Sequence, residues 1–295
     1  MSTTSLRVAR LLAQMPYVRG RDRLKRYLLL RAARHGRRRV RIRGLEFALN
    51  LHDGLSQHLY LYRDFPGDAW RALEAVTQPG MTVLDIGANI GYTTLLCGRA
   101  TGPTGTVVAF EPSGRAFESL VANARLNRQS WVRTEQLACG DLDGVVDLHV
   151  AEISDEYSSL RPPIHDLGTR VERCPIIRLE TYLEDKGIGP VDLIKIDVEG
   201  AEWQVLRGLG SVLTSCEPPV LLVEAFGTNT RRFDYTPPEM FDWLQGLGYS
   251  LQSLVEGHIE PYASTPLLDP AHFCDVICVP DGRQNTIADL DKSLK

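Results

Sequence analysis

No segment of the 295-residue chain approaches the ~18 consecutive apolar residues of a membrane span. A secretory signal is missing too, because arginines interrupt every early apolar stretch before an h-region can form. The run "LRVARLLAQM" is amphipathic, Arg-rich and acid-poor, as an organellar transit peptide would be, but no cleavage signal accompanies it. Six cysteines (Cys97, Cys139, Cys174, Cys216, Cys274 and Cys278) are scattered without a C-x-x-C pair. That excludes a disulfide framework and a zinc site, and it fits reduced thiols in a cytoplasmic protein. Cys274 and Cys278, four apart in an apolar run, share one face of a strand and read as buried filler. There is no internal repeat and no low-complexity tract.

What is present suits one large α/β domain with an appendage, or two small domains. Hydrophobic content of 43% and charged content of 24% allow a sizeable core. The net charge of −4 is unevenly spread: residues 1–43 carry fourteen Lys or Arg and one acid, Asp22. The remainder carries 19 basic and 36 acidic residues, so a basic arm near +13 precedes an acidic body near −17. We read the arm first as a helical face docked on the acidic body of its own chain or of a second subunit in a homodimer. A nucleic-acid or peripheral membrane contact is the alternative.

Residues 5–34 read as one or two basic amphipathic helices, broken near Pro16 and Gly20. "RVRIRGLEFALNL" (39–51) alternates about Gly44, as a β-hairpin does. "DFPGDAWRALEAVTQPG" is a helix with Asp68 as its N-cap and Pro79-Gly80 as its stop. Strands are then expected at 82–87, 105–112, 132–139, 191–197 and 219–226, and helices at 90–100, 114–127, 201–210 and 237–247. Short, continuously apolar strands alternating with helices specify a parallel sheet covered on both faces. Two last strands, 249–255 and 274–280, are close enough to pair antiparallel. Between 139 and 190 the alternation lapses. "GVVDLHV" is an extra strand, "SDEYSSLRPPIHDLGTR" a mobile surface loop, and "CPIIRLETYLEDKG" a strand followed by a short helix. The expected organisation is a basic helical arm and β-hairpin over 1–60, an α/β body over 61–280 and a tail over 281–295.

The stretch "VLDIGANIGYTT" ends an apolar strand and starts a helix. Gly87 and Gly91 flank the turn, where a missing Cβ lets the backbone approach a ligand and the helix start presents free N–H groups. A dinucleotide fingerprint would need glycine at Asn89 and Tyr92, and a P-loop would need Gly-Lys-Ser/Thr; neither is present. An acid at the strand end, Asp85, disfavours a pyrophosphate but suits a ligand carrying a cation, such as the amino group of S-adenosylmethionine. Glu111 ends the second strand, where an acid accepts hydrogen bonds from ribose hydroxyls.

A second cluster lies in "VDLIKIDVEGAEWQVLRGL". Lys195, Asp197 and Glu199 alternate at the end of the fourth strand, and Glu224 ends the next. Charges there are costly without a task or partners. Asp197, Glu199 and Glu224 are therefore candidates to orient or deprotonate an acceptor hydroxyl, or to hold a divalent cation such as magnesium. The structural alternative is a salt-bridged network with Lys195, or Glu199 capping the following helix. His165, in the polar loop, and His258, in "VEGHIEPY", read as surface histidines before they read as bases.

With "VLDIGANIGYTT", "AFEP" followed by "SLVANARLN", "LACGD", "EYSSL", "RLETYLED", "VDLIKIDVEGAEWQVLRG" and "PPVLLVEAF" in this order, the chain resembles the FkbM-type S-adenosylmethionine-dependent methyltransferases over roughly residues 60–255. The resemblance implies a class I methyltransferase domain over 61–280. Its Rossmann-like sheet would have seven strands, mostly parallel, with an antiparallel last strand. It also implies O-methylation of hydroxyls on sugars, glycolipids or polyketides. Carried over, Asp85, Gly87, Asn89 and Gly91 line the methionine end of the cofactor, and Tyr92 is counted with them. Glu111 would hold the ribose, Asp141 would lie near the adenine, and Asp197 and Glu199 would occupy the acid motif of the active crevice. The arm, the tail and most of the 151–173 loop fall outside the resemblance. Nucleic-acid methylation is the competing enzymatic reading; the Asp/Asn-Pro-Pro-aromatic turn of base methylation is replaced here by "IDVEG", and the body is acidic. A non-catalytic cofactor-binding protein is the third reading.

Overall fold

The computed structural model describes all residues but 1, 16–20, 35, 66, 68, 152–157, 163–167, 256–257, 265–268, 270–272, 284 and 295. Helices α1 (Ser2–Gln14) and α2 (Arg21–Ala33) open the chain and pack on each other. The expected hairpin follows as β1 (Arg38–Ile42) and β2 (Leu45–Leu49). Arg43 and Gly44 both take positive φ in its two-residue turn, matching the right-handed twist of paired strands. Helix α3 (Gly54–Tyr62) has no counterpart in the sequence expectations. It is capped by Asp53, whose carboxylate accepts from the Ser56 N–H at 2.7 Å. Helix α4 (Ala69–Val76) is present, and the Asp68 proposed as its N-cap lies outside the described residues.

The body alternates as expected through β3 (Thr82–Ile86), α5 (Tyr92–Thr101), β4 (Thr106–Phe110), α6 (Gly114–Leu126) and β5 (Val132–Glu135). An inserted unit follows: β6 (Ala138–Gly140), β7 (Gly144–Ala151) and β8 (Thr169–Arg178). Helix α7 (Leu179–Asp185), β9 (Leu193–Ile196), α8 (Glu202–Leu209), β10 (Val220–Phe226), the one-turn α9 (Gly227–Thr230) and α10 (Pro237–Gly246) resume the alternation. Strands β11 (Tyr249–Val255), β12 (His258–Pro261) and β13 (Phe273–Pro280) and helix α11 (Asn285–Leu294) complete the chain.

The main sheet has the order β12-β11-β13-β10-β9-β3-β4-β5. Strands β10, β9, β3, β4 and β5 run parallel, and β13 inserts antiparallel between β10 and β11. This is the expected Rossmann-like layout with an antiparallel last strand, lengthened by the edge strand β12. Period two sorts the strand residues. Leu84, Ile86, Ile194 and Ile196 pack into a core cluster shared with α8 and α10, and Val83, Leu193 and Leu222 into one shared with α4 and α11. Burying each such side chain contributes about 1.5–3 kcal/mol.

Three expectations need correction. The strand expected over 132–139 is two strands in different sheets: β5 pairs with β4, whereas β6 joins β8 and β7 in a separate three-stranded sheet. Thr169 and Arg170, expected in the loop, already belong to β8, paired antiparallel with β7. Residues 281–295 are not a plain tail, because α11 buries Leu290 in the core cluster beside α4. The arm also docks differently from the electrostatic picture. Leu6, Ala9, Leu29 and Ala32 share an apolar cluster with Phe47, Leu59, Leu95 and Tyr92, so apolar contact rather than charge joins α1 and α2 to the body.

Two asparagines of α6 fix the hairpin. Asn123 Oδ1 accepts from the Ala48 N–H at 2.8 Å while its Nδ2 donates to the Ile90 carbonyl at 2.8 Å, and Asn127 clamps the N–H and carbonyl of Glu46. Edge-strand groups that would otherwise lack partners are thereby satisfied. Replacing the fully buried Asn123 by alanine orphans two backbone groups. Asn123→Ala is expected to lower the unfolding free energy by about 2–4 kcal/mol, measured as a urea midpoint shift at unchanged m-value.

Candidate functional site

The chain leaves β3 outward to β4 and β5, then returns on the other side of β3 as β9. In open α/β sheets the ligand crevice lies at the carboxyl ends beside such a reversal. Here the Gly87 and Ala88 N–H groups both donate to the Phe110 carbonyl at 3.0 Å, and the Asp197 N–H donates to the Ile86 carbonyl at 3.1 Å. The two glycines are required by packing within the protein. A Cβ on Gly87 (φ +78°) would stand 1.7 Å from the Asp197 carbonyl oxygen, and one on Gly91 (φ +89°) would stand 2.6 Å from Leu120 Cδ1. Asn89 adopts φ +49° between them, and its N–H donates to Glu111 Oε2 at 2.8 Å.

A cavity of about 370 Å³ opens at this point, within the size range of small-molecule sites. Of the residues singled out from the sequence, it gathers Gly87, Asn89, Tyr92, Glu111, Asp197, Glu199 and Glu224 along its walls. It does not gather three others. Asp85 lies beneath the floor, 1% exposed; Gly91 packs on α6; and Asp141 is held by Arg207 at 2.6 Å on α8. His258 is exposed on β12 and not among the lining residues, and His165 lies outside the described residues. Tyr92 contributes a buried ring, stacked on Phe65 and Phe47 at 4.7 and 5.6 Å, with its hydroxyl pushed up to about 12 by burial.

Charge concentrates on one face of the sheet. Asp85 pairs directly with Lys195 in the β3–β9 register, and Glu224 with Asp275 in the β10–β13 register. Lys195 Nζ lies 2.9 Å from Asp197 Oδ2 and 3.6 Å from Asp85 Oδ1, and it donates to the Gly87 carbonyl at 2.9 Å. Burial opposes its charge, but the carboxylates of Asp197 and Asp85 outweigh that and hold the ammonium above the ordinary lysine range. Asp85 also accepts from the hydroxyls of Thr93 and Thr94, at 2.9 and 2.5 Å. Glu224 goes the other way. Burial first, then the charges of Asp197, Glu199 and Asp275, push its carboxyl well above the carboxylate range, and it is hydrogen-bonded to Asp197.

Strand β9 ends at Ile196, so Glu199 does not reach the cavity as a strand residue. It takes φ +57° in the following turn. Its carboxylate accepts from Asn229 Nδ2 at 2.5 Å, and its carbonyl accepts from the buried Ser159 hydroxyl at 2.8 Å. The turn is braced by Glu202 rather than capped by Glu199: Glu202 Oε1 accepts from the Val198 and Gly200 N–H groups at 3.3 and 3.0 Å, and Oε2 accepts from the Tyr235 hydroxyl at 2.9 Å. Sequence reasoning missed Asp275, Ser159, Asn229 and Glu202. Asp275 had a signal, since it is a lone acid in the apolar run "FCDVICVP" at odd spacing from two buried cysteines. Those cysteines, Cys274 and Cys278, do fill one face of β13 as expected.

A Rossmann-like sheet whose switch-point cavity is walled by acids is the layout of a class I S-adenosylmethionine-dependent methyltransferase. Residues 85–251 match the methyltransferase FkbM domain model, and the chain belongs to that family. It is 28% identical over 187 residues to the 31-O-demethyl-FK506 methyltransferase FkbM of Streptomyces tacrolimicus, covering 54% of this chain and 71% of that protein. It is 29% identical over 192 residues to Methyltransferase 1 of Beauveria bassiana, covering 54% and 77% respectively. Among solved structures, a precorrin-6y C5,15-methyltransferase from Geobacter metallireducens aligns with a TM-score of 0.43 at 11% identity, over 72% of this chain and 87% of that one.

The raised Glu224 sets a pH dependence. Above the ordinary carboxylate value of 4.5, the folded state keeps a proton that the unfolded chain releases, so stability falls as pH rises toward the folded pKa. Glu224→Gln keeps the hydrogen bond without titrating. Its thermal midpoint is expected to exceed the parent's at neutral and alkaline pH, and the difference should vanish in acid, as calorimetry across pH will show.

Proposed function

We propose that this methyltransferase transfers its methyl group to a hydroxyl oxygen of a small molecule or glycan, such as a sugar, glycolipid or polyketide. The observation that carries this reading is the meeting of Asp197, Glu199 and Glu224 in the cavity, with one oxygen of each within 4.8 Å of the others. The name of the Streptomyces relative, an O-demethyl-FK506 methyltransferase, supports an oxygen acceptor.

The residues present suit S-adenosylmethionine. Five lining carboxylates (Glu111, Asp197, Glu199, Glu224 and Asp275) face one lining lysine, and Lys195 is already engaged by Asp85 and Asp197. Such a cavity favours a cationic ligand and repels a polyphosphate. Glu111 is aimed by the Asn89 and Ser113 N–H groups, one on each oxygen at 2.8 Å, which holds its carboxylate at the cavity wall as an acceptor for ribose hydroxyls. Asn89 Oδ1 is a buried atom without a protein partner. Bound cofactor supplies a methyl group already activated by its sulfonium.

The protein's own task is to orient the acceptor and take its proton. Asp197 is the acceptor of that proton in this reading, because Glu224 keeps its own and Asp197 is the partly exposed partner of Lys195. Glu199, held from both sides by Asn229 and Ser159, orients the hydroxyl. The same acids argue against a nucleic-acid acceptor, whose phosphates they repel.

A second reading uses the carboxylate spacing, in which Asp197, Glu199 and Glu224 hold a divalent cation that lowers the hydroxyl's pKa. Treatment with EDTA decides between them: activity abolished and restored by magnesium selects the cation, and unchanged activity selects the proton acceptor.

A screen of glycoside and polyketide hydroxyl acceptors with methyl-labelled cofactor should yield methyl ethers; label found only on nitrogen or on nucleic acid would sink the proposal. Asp197→Asn is expected to lower kcat about 10²–10⁴-fold. Glu111→Gln is expected to weaken cofactor binding about tenfold or more in isothermal titration.

A further inference from the structure

Helix α1 turns Leu6, Ala9 and Ala13 toward the body. Val8 and Leu11 recur at i and i+3 on the opposite side, and Met15 follows directly after the helix, all exposed, Leu11 by 61%. Helix α2 repeats the pattern: Leu29, Ala32 and Ala33 face in, while Leu24 and Tyr27 face out, Tyr27 exposed by 57%. The two helices pack together and bury their inner faces in one cluster, so both apolar stripes lie on the same outer side. Arginines border them. Among the described residues, Arg7, Arg10, Arg23, Arg26 and Arg31 pair with no carboxylate; Asp22, the one acid of the arm, is taken by Arg21 and Lys25.

From this face we infer that the α1–α2 pair docks on an anionic lipid surface. A stripe of Leu, Val, Met and Tyr bordered by arginines has the chemistry of an interfacial helix, with apolar residues entering the acyl boundary and arginines meeting the phosphates. The charge complements such a surface, since residues 1–34 carry nine Lys or Arg and one acid. RNA would engage the arginines but leave Leu11, Met15 and Leu24 exposed to water. A second copy meeting face to face would set two such charges against each other. The inference is independent of the catalytic reading, because none of these side chains lines the cavity.

The test is co-sedimentation of the full chain with phosphatidylcholine vesicles, with and without phosphatidylglycerol. Binding is expected only where phosphatidylglycerol is present and should weaken with salt. Each Arg→Gln change at 7, 23 or 26 should lower the partition coefficient about fivefold. Leu11→Glu with Tyr27→Glu should abolish binding while leaving cofactor binding and circular dichroism at the parent's values; if that pair perturbs the fold, Leu11→Gln with Tyr27→Gln serves instead. The inference is overturned by absence of binding to the anionic vesicles, or by binding that these apolar changes leave intact. Self-association without lipid that the same changes abolish would overturn it in favour of a second copy. Tighter binding to RNA than to vesicles would overturn it in favour of nucleic acid.

Discussion

The ammonium of Lys195, buried between Asp85 and Asp197 where β3 and β9 leave the sheet, is the contact on which the site is built. A lone charge in that position would cost several kcal/mol, and removing one partner of a buried pair typically costs about 3–5 kcal/mol. Lysine and aspartate in direct register on adjacent strands therefore require each other. The same ammonium donates to the Gly87 carbonyl, so the turn after β3 is held to the turn after β9 by charge as well as by the close backbone approach that only glycine allows. Asp85 extends the tie to α5 through Thr93 and Thr94. One interaction thus fixes two turns and a helix start relative to one another.

The acidic excess of the cavity follows. Lys195 is shared chiefly between Asp85 and Asp197, and it is the one lysine of a lining that also holds Glu199, Glu224 and Asp275. Burial and the charges of Asp197, Glu199 and Asp275 raise the Glu224 carboxyl well above the carboxylate range, which favours its neutral form and eases part of the repulsion. Asn229 and Ser159 hold Glu199 in place, Arg232 acts on it electrostatically, and the buried Glu202–Tyr235 brace lies under the same turn. A cation or a hydroxyl-bearing acceptor that enters meets acceptors already oriented, which lowers the cost of organising them.

The sheet and its order of elements were legible in the sequence because continuous apolar strands such as "TVLDIG" and "VDLIKID" leave few alternatives. Helix α3 was not, since its nine residues, "GLSQHLYLY", are too short to show a period and its cap depends on Asp53 meeting Ser56. The division of 132–139 into β5 and β6 was hidden because the residues are locally alike and only their pairing partners differ. Within the site, the carboxylates at strand ends stood out as charge where the environment is apolar. Asp275 escaped because it reaches Glu224 only through the pairing of β13 with β10, some fifty residues apart in the chain. Ser159 escaped because its role is a hydrogen bond to a carbonyl, which leaves no mark on residue type. Asp85 was visible as important, and the structure places it under the floor of the cavity, not in its wall.

The position of β13 has a kinetic meaning. Among the described strands, β10 and β11 are not paired with each other; each is bonded to β13, which comes after both in the chain. Until residues 273–280 enter that slot, both neighbours keep an open edge of unpaired backbone groups. Closing it pairs β13 with β10, some fifty residues earlier in the chain, and such non-local pairing slows folding and exposes a chain to misassociation. A growing chain therefore makes the glycine turn after β3 early but has a sheet open at its middle until β13 is made.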